Sequence, residues 1–408
     1  MPSTSDLPYQ LLVRFRRRLW ASSLLFGGLM TAYYWYIILV ENVPTDIQIH
    51  LQYLAQQVCT DHQTIPANGG FYLVVWLLAG FSCNYTLLSK IAVVFLGACW
   101  GTAVYLSGLV GAQIICGRAT ATLSASKAAT VLVAAITSCL VFPVLVSRSP
   151  FYIGLIPPNV YHNSTWISAL PWVIAVFGLG LRQLQGEAKS LRTEAYIGVL
   201  LLVGAFFKPS FAFVFIPTYA LLRVSQLPWH RWHTLVLPLG IALLPVVLLV
   251  VGQVVWLALY SQTTLGEKIH LALAFPAGWR YAMPHLPWSR ALLRFCSSFA
   301  LPALAYYLRP DWLKRVPHQF SLLCAGIGFL LFMLVYETGV RAKHGNFLWQ
   351  CFYANHLLYW MIILSALNWQ PSSASEYSRR NFLWAAIGLN LVSGLLYLTI
   401  LVVTKSFF

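Results

Sequence analysis

Gly70-Phe71-Tyr72-Leu73-Val74-Val75-Trp76-Leu77-Leu78-Ala79-Gly80-Phe81-Ser82-Cys83 is the stretch on which the reading of the whole chain turns. Its apolar run extends only from Gly70 to Ala79 before Gly80 and the polar Ser82-Cys83-Asn84 interrupt it. Crossing ~30 Å of hydrocarbon takes about 20 helical residues. The run is too short to span, so it is read as dipping into the membrane and returning. That choice fixes the sidedness of everything after it.

The surrounding chain is 59% hydrophobic and 9% charged, with a mean hydropathy of +0.71. An average soluble domain has about 25% charged residues, so this is an all-α polytopic membrane protein. No loop is long enough for a separate globular domain, and residues 1–408 read as a single transmembrane domain in the lipid bilayer. A net charge of +16 would point to nucleic acid in a soluble chain. Here the basic residues sit at the ends of apolar spans and act as topology signals, so no nucleic-acid partner is expected. The eight cysteines lie singly in or beside apolar segments, without CxxC or His-rich spacing, and read as core packing.

Arg14, Arg16, Arg17 and Arg18 precede a first span at 19–40 that is too long for a signal-peptide core. The N-terminus is therefore expected in the cytoplasm. With 70–83 as a dip, spans follow at about 90–112, 128–147, 166–181, 235–259, 290–308, 319–336, 350–368 and 382–403. Residues 195–222 carry Lys208-Pro209 inside an apolar run, where a buried lysine is expensive and a proline breaks the hydrogen-bond ladder. Two short helices meeting at Lys208 on the outer face resolve both costs and bring the total to about eleven transmembrane helices. This arrangement puts 16 of the 26 Lys and Arg residues on the cytoplasmic side, the bias that topology requires.

The non-cytoplasmic face then receives the loops 41–89, 260–289 and 337–349, the first with interfacial helices, and with them an unusual polar set. It comprises Asp46 and His50; Asn159, His162 and Asn163; Lys208; Glu267, Arg280 and His285; and Glu337, Arg341, Lys343, His344, Asn346, Trp349 and Gln350. Ionisable groups at membrane depth are candidates for function. Asp46 is one of ten acidic residues and has no cation near it in sequence between Arg18 and Lys90. Thr45 or Asp46 is expected to cap an amphipathic interfacial helix running to about Gln57. A partly desolvated carboxylate there is also suited to abstracting a hydroxyl proton, and His50 shares its helix face at i+4.

Lys208 reads either as a snorkelling residue or as the counter-charge of a phosphate. In the 337–350 stretch, Arg341 is the residue type that grips phosphate bidentately, and Gly339 and Gly345 permit close backbone approach. Trp349 with His344, Asn346 and Gln350 would make a sugar-binding wall. The plainer alternative is a charged loop in which Glu337 pairs with Arg341 at i+4, which contributes little. Asn159, His162 and Asn163 either line the cavity or cap the next helix. Asn163-Ser164-Thr165 matches a glycosylation acceptor but sits at a span entrance unsuited to one.

A carboxylate just after the first span, an interfacial helix behind it, a non-spanning outer segment and a mid-chain lysine-proline hairpin together resemble the GT-C superfamily of membrane glycosyltransferases. The likeness covers the first ~220 residues in architecture, on short motifs. It implies a polyprenyl-phosphate-linked sugar donor, a glycan or lipid-linked acceptor, and transfer with inversion at the outer face; the membrane expected is a bacterial inner (cell) membrane. Asp46 takes the place of the catalytic base, with Lys208 and Arg341 on the donor phosphate. Many members carry a paired acidic motif in that loop, whereas here Asp46 is followed by Gln48 and His50. That departure leans toward catalysis without a cofactor and leaves a divalent metal open. Rival readings are a transporter or flippase of a lipid-linked or anionic solute, and a polysaccharide polymerase or ligase.

Overall fold

The computed structural model describes residues 7–59, 66, 68–117, 124–144, 156–186, 190–260, 271–278, 280, 287–338 and 346–405. Among these, seven helical stretches are long and apolar enough to cross a membrane: Leu11–Val40, Tyr85–Cys116, Ser164–Leu184, His230–Trp256, Trp288–Leu308, Val316–Leu334 and Ala374–Thr404. Ala125–Ser138 and Ser210–Ser225 are apolar but shorter. The molecule is thus a helical membrane protein.

α1 (Leu7–Tyr34) continues through a π-helical turn, Trp35–Val40. It packs antiparallel on α4 (Tyr85–Cys116) through small residues. A Cβ on Gly97 would meet the Gly27 carbonyl oxygen at 2.7 Å, and one on Gly101 the Ser23 oxygen at 2.7 Å. With no hydrophobic drive between helices in lipid, such close backbone approach is what holds a pair together.

Between them lie α2 (Asp46–Gln52), its π-helical extension Tyr53–Val58, and α3 (Gly70–Leu78). At 1.5 Å per residue, α3 is about 14 Å long and cannot cross. It starts against Phe207, where a Cβ on Gly70 would lie 2.9 Å from the ring, and the chain returns to the same end of the bundle by Cys83. Cys83 is disulfide-bonded to Cys59, which corrects the expectation that all cysteines serve as packing. The pairing joins residues 24 apart that approach only because α3 doubles the chain back.

α5 (Ala125–Ser138) stops nine residues short of the expected 147. Beyond it residues 142–143 lie against the last helix, with Phe142 N donating to Asn390 O and Ser393 Oγ to Pro143 O. α6 (Ser164–Leu184) follows, then the hairpin of α7 (Leu191–Phe207) and α8 (Ser210–Ser225), broken at Lys208-Pro209. The remaining helices are α9 (Val236–Tyr260), α10 (Trp288–Leu308), α11 (Val316–Leu334), α12 (Trp349–Leu367) and α13 (Ala374–Thr404). β1 (Leu271–Leu273) and β2 (Val335–Glu337) form a small antiparallel ribbon that the sequence reading lacks; Leu271 pairs with Glu337 and Leu273 with Val335.

Every residue of α12 from Gln350 to Leu364 is buried, and α6 is buried nearly throughout. These two helices form the centre, with Trp166 stacked on Tyr353 at 5.1 Å between ring centroids. At one end, Lys405 after α13 contacts Glu41 after α1. The same end collects the start of α6, the α7–α8 turn, the α2–α3 segment and the start of α12.

Candidate active site

The site begins with a cap. Thr45 holds the N-terminus of α2: its hydroxyl accepts from Gln48 N at 3.2 Å, and the Gln48 side chain accepts from Thr45 N at 3.2 Å. This reciprocal box satisfies the helix end. Asp46, the first residue inside, is therefore free of capping, and its carboxylate points to α6.

α6 is capped in turn by Asn163, whose Oδ1 accepts from Trp166 N at 2.9 Å. The other half of the same amide donates from Nδ2 to Asp46 Oδ2 at 2.7 Å. Asn163 Oδ1 also receives Thr165 Oγ1 at 2.8 Å and lies 3.5 Å from Lys208 Nζ. Lys208 Nζ donates to Thr165 Oγ1 at 3.1 Å and sits 4.1 Å from the Trp349 ring centroid, a buried cation–π contact. The proline after Lys208 opens α8, so the break in the hairpin is what brings an ammonium to the foot of α6.

The histidines flank this core. His162 Nε2 lies 3.7 Å from Asp46 Oδ2, too long for a hydrogen bond, and its ring is 6.3 Å from Trp349. Burial holds the His162 imidazole down to about 4, with Asp46 opposing and Lys208 adding to the shift. His50 is likewise held down to about 4 by burial, again against Asp46 and with Lys208 and His162 adding. Both are neutral near pH 7, so neither forms an ion pair with Asp46 there. His50 Nδ1 and Ser164 Oγ share a hydrogen bond of 2.6 Å, and the ring packs on Tyr72 of α3 at 5.4 Å. His50 thus locks α2 in register on α6, one helical turn from the Asp46–Asn163 bond.

Lys208 and Trp349 form the head of an open cleft of about 240 Å³. Asn68, Ser210, Glu337 and Asn346 supply polar wall, and Phe213, Val250, Val254, Leu271 and Phe347 apolar wall. Glu337 accepts from Asn346 Nδ2 at 2.6 Å. Val250 and Val254 put the apolar wall of the cleft on α9, one of the helices long and apolar enough to cross a membrane.

Of the residues singled out in the sequence, Asp46, His162, Asn163 and Lys208 meet directly, Trp349 joins through Lys208, and Glu337 and Asn346 line the same cleft. Asn159 does not join them. Its amide donates to the Ser138 and Val141 carbonyls, both at 2.8 Å, and its Oδ1 lies 3.1 Å from His356 Nδ1, tying down the chain at the end of α5. Gln350 is fully buried among α12's neighbours and does not line the cleft. Arg341, Lys343 and His344 lie outside the described residues, as do Glu267 and His285 with residues 261–270, 279 and 281–286 of the 260–289 loop. Asn163 caps α6, one of the two roles expected for it, while Ser164 and Thr165, which join the site beside it, are not among the residues singled out in the sequence. Asn163 is only 4% exposed and cannot be glycosylated in this fold. Among the described residues, no three His, Cys, Asp or Glu side chains converge as metal ligands.

Comparison with protein-family models, with curated proteins and with solved structures yields no match to the chain.

Proposed function

We propose that this chain is a membrane glycosyltransferase of the GT-C kind with eleven transmembrane helices. It moves a sugar from a polyprenyl-phosphate donor to a glycan or lipid-linked acceptor at the non-cytoplasmic face. The observation that carries this reading is the Asp46–Asn163–Lys208 arrangement: a carboxylate released from capping, joined through one amide to a buried ammonium at the head of a cleft with an apolar wall on α9.

In the reaction, Asp46 accepts the proton of an acceptor hydroxyl as that oxygen bonds to the anomeric carbon. The bond from that carbon to the phosphate oxygen breaks, and the lipid phosphate leaves with the electron pair, giving inversion. Lys208, with Arg341 assigned the same task from sequence, neutralises the charge that develops on the leaving group. The apolar walls of Phe213, Val250 and Val254 suit the first isoprene units, and Trp349 with Asn346 suits a sugar.

The disulfide supports the assignment of side. Cys59–Cys83 lies at the same end as Asp46, and structural disulfides persist in oxidising compartments. The positive bias of the opposite loops agrees. A second polar cleft, with Gln185, Arg315, His318, Ser365 and Asn368, lies at the opposite end and favours a transporter as the rival reading. Against it, the aromatic side chains of Trp166 and Phe177 on α6, Phe320 on α11 and Tyr353 and Trp360 on α12 are fully buried.

The test is purified protein in liposomes with a panel of polyprenyl-phosphate sugars. Release of lipid phosphate with sugar transferred to acceptor supports the reading. Uptake of anionic solute without transfer supports the transporter.

A further inference from the structure

The geometry points to Asn163 as the positioning residue of this site, one amide that orients both the base and the phosphate-binding cation. The inference rests on the glycosyltransferase reading and extends it to a residue that need not touch substrate.

Asn163 has two ends with opposite polarity, and the fold uses both. The Nδ2 end can only donate, and it donates to Asp46 Oδ2 at 2.7 Å. The Oδ1 end can only accept, and it accepts the α6 backbone at Trp166, the Thr165 hydroxyl and the approach of Lys208. The cap bond fixes which end faces which way, because only the oxygen can satisfy a helix N-terminus. Asp46 therefore always meets a donor, and the amide holds its carboxylate in one orientation. Both described contacts of Asp46 fall on Oδ2, which leaves Oδ1 as the oxygen aimed at an acceptor hydroxyl. The 3.5 Å approach of Lys208 to the same amide sets the distance between base and cation. Positioning of this kind matters to rate, since a misplacement of about 1 Å costs ~100-fold.

Asn163→Asp separates this role from capping. Aspartate caps a helix as well as asparagine does, so α6 and the Lys208 contact are kept. The end facing Asp46 becomes a second carboxylate oxygen, and two carboxylates so close must share a proton. In the double variant Asp46→Asn/Asn163→Asp the bond re-forms with its polarity reversed, but the carboxylate now belongs to residue 163. The experiment measures kcat/KM against pH for sugar transfer, and thermal unfolding at pH 5 and pH 8, on full-length protein in detergent.

For Asn163→Asp the expected result is a kcat lowered ~100-fold and an acid limb moved up by about one pH unit or more. Its unfolding temperature falls between pH 5 and pH 8 relative to the wild type. The double variant recovers the wild-type unfolding temperature at pH 8 while transfer stays lost. Wild-type kcat and acid limb in Asn163→Asp overturn the positioning role, as does a double variant that stays as unstable as the single one. If the wild type transfers no sugar at all, the glycosyltransferase reading fails, and the two unfolding measurements still decide whether the Asp46–Asn163 bond exists as described.

Discussion

Asn163 Nδ2 lies 2.7 Å from Asp46 Oδ2, across 117 residues of sequence. One is the first residue of α2 and the other caps α6, so the bond joins two helix N-termini at one end of the bundle. The backbone partial charges at such ends favour a carboxylate. The site follows from this meeting.

Thr45→Ala removes half of the capping box and leaves the Gln48 amide nitrogen without its acceptor. The expected loss is about 1 kcal/mol of stability, seen as a lower unfolding temperature, with Thr45→Ser restoring most of it. Transfer falls as well, because Asp46 is the next residue and moves with the helix start.

Lys208→Met keeps the aliphatic length over Trp349 and removes the ammonium. A hydrogen bond to a charged group contributes about 1.5–3 kcal/mol, so KM for the lipid-phosphate donor rises ~10–150-fold. A Lys208→Met enzyme with unchanged donor KM removes Lys208 from the phosphate.

His50 and His162 are both held to about 4 in the folded protein, below the ordinary histidine value of ~6.5. The unfolded chain therefore takes up these protons first as pH falls. Stability is full above about pH 7 and declines between about 6.5 and 4, by roughly 1.4 kcal/mol per pH unit for each histidine. Thermal unfolding followed from pH 8 to pH 4 checks this, and His50→Gln or His162→Gln flattens the slope.

Reducing Cys59–Cys83, or replacing both by serine, releases a loop of this length from its tie and costs about 3 kcal/mol. The pair also reports sidedness. Peptide mapping after treatment of whole cells should find a membrane-impermeant thiol reagent on Cys59 and Cys83 only after reduction, and only from the non-cytoplasmic side.

Much of this arrangement is legible in the chain because lipid imposes length rules. The nine-residue α3 and the shared end of Asp46, His162 and Lys208 follow from counting apolar residues against a fixed thickness, and the break at Lys208-Pro209 from the cost of burying a lysine and the backbone demand of proline. The direction of individual side chains is not legible that way. Asn159 and Gln350 lie near the expected face but turn inward, one to backbone carbonyls and one into the α12 core. The Cys59–Cys83 pair escapes because its partners meet only after α3 reverses the chain. The β1–β2 ribbon escapes because three-residue strands have no periodicity to read, and α5 ends early because Phe142 and Pro143 bond to α13, a contact no local pattern announces.

The most direct test is Asp46→Asn, assayed for transfer from a polyprenyl-phosphate sugar alongside wild type, with unfolding temperature as a control. Thr45 still caps α2 and the new side chain occupies the same volume, so the variant folds. The expected result is a kcat/KM lowered by about two to four orders of magnitude with donor KM little changed. Transfer at the wild-type rate by a folded Asp46→Asn enzyme contradicts it.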